Sequence, residues 1–345
     1  MSIRISYVVP VYNGAKYLAK CLDSLYEQGL FENEFEVICI DDCSYDTSVA
    51  VLKEYERVHP NLSIILHEHN EKTGTSCNDG LKAAKGDYVW IVGQDDWLEK
   101  GWGRRLLEEA ESESLDLVLF NFYQRKTEDS LDFVADKVFE HSPVMEGAEF
   151  IKSYFEDSFC AYLLGFEWRA LCRREYLLRS GIGFVDGAIY EDTTFLFRAI
   201  WYSKRVKSLG DFVYNYRVNE ESITDANKRY KGWLAYEFAF AAGKEVLDMS
   251  KEIEETKESV LLYRQALWYF RSFVYKVIPM PYKEKRVFYN LVANNWGSVK
   301  SMVELCPVYV RVMATPYTGI CCSIVLKPVY LMKHLLKKKR YYRGI

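Results

Sequence analysis

The stretch Gly86-Asp87-Tyr88-Val89-Trp90-Ile91-Val92-Gly93-Gln94-Asp95-Asp96-Trp97-Leu98 decides how this chain reads. Asp87 to Val92 is a short apolar run between glycines, the pattern of a strand buried on both faces. It runs out into a carboxylate pair, Asp95-Asp96. The same grammar recurs on the N-terminal side. Ser6 to Val11 (SYVVPV) is a Val-rich run broken by Asn13-Gly14, and Tyr17, Leu18, Cys21, Leu22 and Leu25 follow at helical spacing. Glu36 to Ile40 (EVICI) ends in Asp41-Asp42. Asp46 or Thr47 caps the next helix, with Val49, Val51, Leu52 and Tyr55 on its inner side. Ser63 to Leu66 predicts a third strand and Ser76 to Ala84 a short helix. After the central stretch come a helix from about Leu98 to Ser112 and a strand from Leu115 to Phe122. This alternation predicts an α/β fold: a mostly parallel sheet with helices on both faces.

Such sheets bind ligands outside the carboxyl ends of their strands. Two acidic pairs, Asp41-Asp42 and Asp95-Asp96, fall on that rim. Clustered carboxylates repel one another and become tolerable when a divalent cation or a polar ligand joins them. Each also has a plain structural reading. Asp42 can cap a turn, Asp95-Asp96 can form the acidic first turn of a helix, and Glu191-Asp192 can begin the helix that holds Phe195, Leu196, Ala199 and Ile200.

Taken together, the motifs resemble the family 2 glycosyltransferases of GT-A fold. Val8-Val9-Pro10-Val11-Tyr12-Asn13 is similar to that family's first strand and nucleotide-cradling loop. Ile40-Asp41-Asp42-Cys43-Ser44-Tyr45-Asp46-Thr47 resembles its second strand end. Asn78-Asp79-Gly80-Leu81-Lys82-Ala83-Ala84 resembles its Asn-x-Gly helix, and Gly93-Gln94-Asp95-Asp96 its DxDD segment. Tyr190-Glu191-Asp192-Thr193 is similar to its Glu-Asp motif. Tyr214-Asn215-Tyr216-Arg217, with Ser222-Ile223-Thr224, resembles the segment closing the family core. The resemblance runs in order from residue 6 to about 224.

It implies an inverting transfer of a sugar from a nucleotide diphosphate, UDP by family frequency, to a hydroxyl of a saccharide or lipid-linked acceptor in surface polysaccharide or glycolipid synthesis. Pro10, Val11, Tyr12, Asn13, Asp42, Asn78, Gly80, Gln94 and Asp95 would bind the nucleotide sugar. Asp95, with Asp96, would hold Mg2+ or Mn2+ against the diphosphate. Asp192 would be the general base, with Glu191 orienting it or binding acceptor. Trp168 and Arg169 would lie on the acceptor side. Three departures bear on this: Gly93 stands where the family's first acidic residue is usual, Cys77 where an Arg often precedes the Asn, and Arg169-Ala170 where Asn-Lys is usual. They leave open a catalytically impaired nucleotide-binding or scaffold protein of the same pathway. No QxxRW sequence is present, which favours transfer of a single sugar. A nucleotidyltransferase would be expected to carry a Gly-rich basic loop after the first strand, which Val11 to Lys16 matches poorly.

The expected organisation is a nucleotide-sugar half at 1–125, an acceptor half with the base at 126–225, and a C-terminal helical extension at 226–345. In the extension Trp233, Tyr236, Phe240 and Ala241 form one apolar stripe, and Leu262, Ala266, Tyr269, Phe270 and Phe273 another. Of 345 residues, 45 are Lys or Arg and 49 Asp or Glu, a net charge of -4, with 49% apolar and 16% aromatic residues. That excludes a strongly basic nucleic-acid binder and an acidic disordered chain. The average hides a split. Residues 271–345 hold 14 basic and 2 acidic residues, a net of +12, against -16 for the first 270. Val325, Leu326, Val329, Tyr330, Leu331, Leu335 and Leu336 interleave with Lys327, Lys333 and His334, and Lys337-Lys338-Lys339-Arg340-Tyr341-Tyr342-Arg343 follows. A basic amphipathic segment of this kind suits an anionic membrane surface. The expected setting is the cytoplasmic leaflet, with a second copy of the chain an admissible partner and no nucleic acid. No secretory signal is expected, and no apolar run reaches the roughly 18–20 residues of a transmembrane helix. The nine Cys are odd in number and lack CxxC spacing, so they read as reduced core thiols. His67 and His69, outside any metal-like cluster, read as structural.

Overall fold

The computed structural model describes residues 2–125, 133–134, 139–155, 166–184, 186 and 192–218. The chain divides into two compact units, Met1–Asp225 and Ala226–Ile345, and all of the described residues lie in the first. In chain order its elements are β1 (Ile5–Val11), α1 (Ala15–Tyr26), β2 (Phe35–Asp41), α2 (Ser48–Val58), β3 (Leu62–Leu66), α3 (Lys72–Ala83), β4 (Tyr88–Ile91), β5 (Trp97–Leu98), α4 (Trp102–Ser112), β6 (Leu117–Arg125), β7 (Phe133–Val134), α5 (Gly147–Phe155), a 3-10 turn (Glu167–Arg169), β8 (Ala170–Arg173), α6 (Arg174–Arg179), α7 (Asp192–Trp201) and β9 (Val206–Arg217).

The strands form one sheet in the order β3-β2-β1-β4-β8-β6-β9-β5, with β7 added to β6. Its first four strands are parallel, as the apolar runs predict. Every residue of β2 is buried. The two-residue period of a strand sorts side chains to two cores. Tyr7, Val9 and Val11 join Leu18, Cys21, Leu22 and Leu25 of α1 on one face. Val8 and Ile40 meet α3 on the other. Beyond β4 the sheet is mixed. β8 lies antiparallel to β4 and β6, β5 antiparallel to β9, and β6 parallel to β9. β8 runs against both of its neighbours, while β1 to β4 and the long β6–β9 pair are parallel, so the mostly parallel expectation stands.

Two helix starts differ from their sequence patterns. α3 begins at Lys72, four residues before the expected Ser76. The backbone N–H groups of Glu71 and Lys72 donate to the Asp42 carboxylate at 2.7 and 2.9 Å, so the cap comes from the end of another strand. α4 begins at Trp102 rather than Leu98. Trp97 and Leu98 pair with Asn215 and Tyr214 of β9, and Gly101 turns the chain with φ 77° before the helix starts. Asp95 and Asp96 are therefore outside the first turn of α4.

Candidate active site

Register fixes where the site is. Val11 lies opposite Asp41, and Asp41 opposite Leu66, so the loops after β1, β2 and β3 leave from one edge. The chain proceeds from β1 to β2 to β3, then crosses back so that β4 flanks β1 on its other side. The strand order thus reverses between β1 and β4, and ligand crevices in open α/β sheets form at that point.

The loops there are tied together. The Gln94 side-chain amide pairs with the Tyr12 backbone in both directions: Tyr12 N–H donates to Oε1 at 2.9 Å, and Nε2 donates to the Tyr12 carbonyl at 3.0 Å. This closes the β1 loop onto the segment after β4. Asn13 N–H donates to Ser44 Oγ, and Tyr45 N–H donates to Asn13 Oδ1. Gly14 N–H donates to Ser48 Oγ. Burial works to raise the Asp46 carboxyl pKa. Hydrogen bonds from the Ser48 hydroxyl and the Ser48 and Ala15 amides outweigh it and hold the pKa below its ordinary value. Among the described residues four non-glycines have positive φ, and three of them, Asn13, Cys43 and Lys72, follow β1, β2 and β3 on this rim. Strained backbone gathers where surrounding structure over-determines it, commonly at functional sites. Tyr12 and the exposed Tyr45 meet edge to face, ring centroids 6.2 Å apart. Pro10 is half-buried, while the Val11 side chain is in the core and its carbonyl takes Asp42 N–H.

The four rim carboxylates separate by environment. Asp95 is part-buried in the segment after β4, and its carbonyl accepts from Arg217 Nε at 2.8 Å. Asp96 is turned inward and 3% exposed. Tyr214 OH donates to its Oδ2 at 2.7 Å and Arg217 N–H to its Oδ1 at 2.8 Å. Burial, then the neighbouring Asp95 charge, push its pKa well up. Asp96, expected as a metal ligand with Asp95, turns both its oxygens to β9. Gly93 explains why it can sit there, since a Cβ at 93 would lie 2.7 Å from Asp96 Oδ2. Asp41 Oδ2 accepts Ser44 N–H, and its Oδ1 is buried without a hydrogen-bond partner. Asp42 is 4% exposed and spends its carboxylate on Glu71 N–H, Lys72 N–H and His67 Nδ1. Asp42, expected to contact base or ribose, caps α3 and shapes the rim.

Gly80 faces the sheet, where a Cβ would approach Val8 Cγ1 to 2.2 Å; it is there so that α3 can close on β1. Asn78 uses its whole side-chain amide on Phe184 and Asp186. Trp168 is buried and stacked on Tyr214, with centroids 4.3 Å apart. Arg169 is fully buried between the Phe122 and Phe139 rings and donates from Nε to the Phe120 carbonyl. Burial pulls its pKa down to about 9. Trp168 and Arg169, expected on the acceptor side, are both buried. Asp192 is the first residue of α7, as the helix-start reading expects; its side chain and Glu191 lie outside the described residues. So do the helical extension and the basic tail.

Sequence reading missed the weight of Tyr214 and Arg217. Tyr214 OH bridges Asp96 and Gly93 N–H, and the Arg217 guanidinium lies over the Trp97 and Tyr17 rings at 4.7 and 5.1 Å. The available signal was the alternation of Tyr214-Asn215-Tyr216-Arg217, which puts Tyr214 and Tyr216 on one strand face. Among the described residues no group of three or more His, Cys, Asp or Glu could hold a metal ion.

Comparison with known proteins points to one family. The model of glycosyl transferase family 2 matches residues 6–168. EpsJ of Bacillus subtilis, described as an uncharacterized glycosyltransferase, is 32% identical over 225 residues; these are 64% of this chain and 63% of that protein, less than two thirds of its length. EpsH of the same organism, a putative glycosyltransferase, is 28% identical over 266 residues, 76% of this chain and 72% of that protein. The crystal structure of Staphylococcus aureus TarS 1-349 in complex with UDP-GlcNAc superimposes with a TM-score of 0.74 at 20% identity, covering 96% of this chain and 92% of that one.

Proposed function

From a chain whose residues 6–168 belong to glycosyl transferase family 2, on a GT-A fold, we propose an inverting transferase that moves a sugar from a UDP donor to an acceptor hydroxyl. The observation that carries this reading is the half-exposed Asp95 beside the Tyr12–Gln94 amide pair, at the point where strand order reverses. A nucleoside placed there meets Tyr12 and Tyr45, and its diphosphate comes toward Asp95. The TarS chain of similar fold is a complex with UDP-GlcNAc, which supports UDP as the first donor nucleotide to try.

Asp95 fits a divalent cation such as Mg2+ or Mn2+ in a limited way. It brings one carboxylate, and the donor's own phosphate oxygens would bring the rest, a common arrangement for Mg2+. Bound there, the cation would supply neutralisation of charge on the departing diphosphate. The chain's residues do the remainder. Gln94 holds the β1 loop closed, Asp42 shapes the loop after β3, and Asp192 at the start of α7 takes the proton from the attacking acceptor hydroxyl. A single in-line displacement of this kind inverts the anomeric centre and needs no nucleophilic side chain.

Named relatives include poly(ribitol-phosphate) glycosyltransferases matching over less than a third of this chain. They support an acceptor on a cell-surface polymer or its lipid-linked precursor. Held by its basic tail, the enzyme would work at an anionic membrane face. No helix among the described residues is long and apolar enough to cross a membrane. Calorimetry with UDP, GDP and dTDP in the presence and absence of Mn2+, followed by UDP release from a panel of UDP-sugars, tests the reading. Asp95→Ala is expected to weaken Mn2+-dependent UDP binding. Asp192→Ala is expected to abolish transfer and leave UDP binding in place. Wild-type turnover in either variant removes the role assigned to that residue.

A further inference from the structure

α3 has a function at each of its last turns that the catalytic reading does not use. Gly80 lets the helix close on β1 and β2. Beside it, Asp79 Oδ2 lies 3.3 Å from His67 Nε2, an ion-pair distance though not a hydrogen bond. His67 Nδ1 in turn meets Asp42 Oδ1 at 2.9 Å. The donor side of α3 is thus fixed to the rim through His67.

The other side reaches the segment that leads into α7. Asn78 Nδ2 donates to the Phe184 carbonyl at 2.9 Å and to Asp186 Oδ1 at 2.7 Å, and Asn78 Oδ1 accepts Phe184 N–H at 2.8 Å. Both amide hydrogens and the oxygen are engaged, so the side chain has no donor left for a ligand. The side chain instead pairs with a backbone as a neighbouring strand would. Phe184 is buried and stacked on Phe195 of α7, with ring centroids 4.1 Å apart and 9° between planes. Arg198 of α7 donates to the Gly181 and Gly183 carbonyls. Residues 181–184 are therefore locked to α7 by two side chains and to α3 by one.

We infer that Asn78 is a positioning residue that sets α7, and with it Asp192 at the head of that helix, at a fixed distance from the donor rim. The inference rests on the reading of Asp192 as the base. Phe195 is three residues beyond Asp192, about one helical turn, so a shift of Phe184 passes to the base with little loss. Misplacing a reacting group by about 1 Å can cost on the order of a hundredfold in rate, and it need not alter how the nucleotide binds.

The test is a split between turnover and donor binding in the full chain. The probe is UDP, with the UDP-sugar that gives the fastest UDP release in the wild type. Asn78→Ala is expected to lower kcat by about ten- to a hundredfold, leaving donor KM and the calorimetric Kd for UDP within about twofold. Asn78→Asp places two carboxylates face to face and is expected to be at least as slow. Adding Asp186→Asn to it restores a donor–acceptor pair and should recover turnover several-fold. A wild-type kcat in Asn78→Ala overturns the inference, and so does a fall in kcat matched by an equal weakening of UDP binding. If Asn78→Ala fails to fold, lack of recovery in the double variant overturns it. Asp192→Asn separates the two ideas. If that variant keeps transfer, the base assignment falls; if it is inactive while Asn78→Ala is unaffected, only the positioning role falls.

Discussion

At the scale of residues, the site is made by what its carboxylates are already bonded to. Four Asp share the rim: Asp42 and Asp96 are buried and give their oxygens to backbone and side-chain donors, and Asp95 is part-exposed. Gly93 belongs to this arrangement because a methyl group there meets Asp96 Oδ2 at 2.7 Å. Gly93→Ala should therefore destabilise by about 1–3 kcal/mol, the usual cost of overpacking, and weaken Mn2+-dependent UDP binding. Denaturant midpoints and calorimetry measure the two effects. Tyr214→Phe removes one donor from a buried carboxylate and should cost about 1–3 kcal/mol. Asp46 gives a pH signature. Its native pKa is depressed, so its stabilisation is full above the unfolded carboxylate value near about 3.9 and is lost as pH falls through the lower native value. Asp46→Asn should lower stability at neutral pH and narrow the gap to wild type in acid, as urea titrations across that range would show.

At the scale of elements, local pattern and tertiary contact divide the work. The four parallel strands are legible because each is a continuous apolar run ended by Gly, Asn or Asp, or by a polar loop. α3 is legible only from Ser76, because its first-turn cap is a carboxylate 29 and 30 residues away in sequence. β5 and the late start of α4 depend on pairing with β9, more than 110 residues later. The packing of α3 on β1 yields its own test. Gly80→Ala brings a methyl group to 2.2 Å of Val8 Cγ1 and should destabilise by about 1–3 kcal/mol. Val8→Ala in the same chain should offset part of that loss, since contacting sites couple. Thermal melts of the two single variants and the double variant measure the coupling.

At the scale of the whole molecule, charge is unevenly placed. The +12 carried by residues 271–345 against -16 before them supports the proposed attachment to an anionic membrane, at roughly 1 kcal/mol per basic residue near the lipid. Deleting residues from Val325 onward should abolish binding to phosphatidylserine vesicles and leave UDP binding intact. Co-sedimentation at low and at physiological salt decides this, and unchanged binding at both would sink the membrane role.

The sequence by itself determined the α/β alternation, the rim on which the acidic pairs lie and the likeness of residues 6–168 to glycosyl transferase family 2. These follow from periodicity and from short motifs, which are local properties of a chain. Only the tertiary structure decided which carboxylate stays part-exposed, that Trp168 and Arg169 are buried, and that Asn78 grips Phe184. The reason is physical. A side chain's polar atoms go to whichever partner folding brings within about 3 Å, and for Asp42, Asp96 and Asn78 those partners lie between 25 and 121 residues away in sequence.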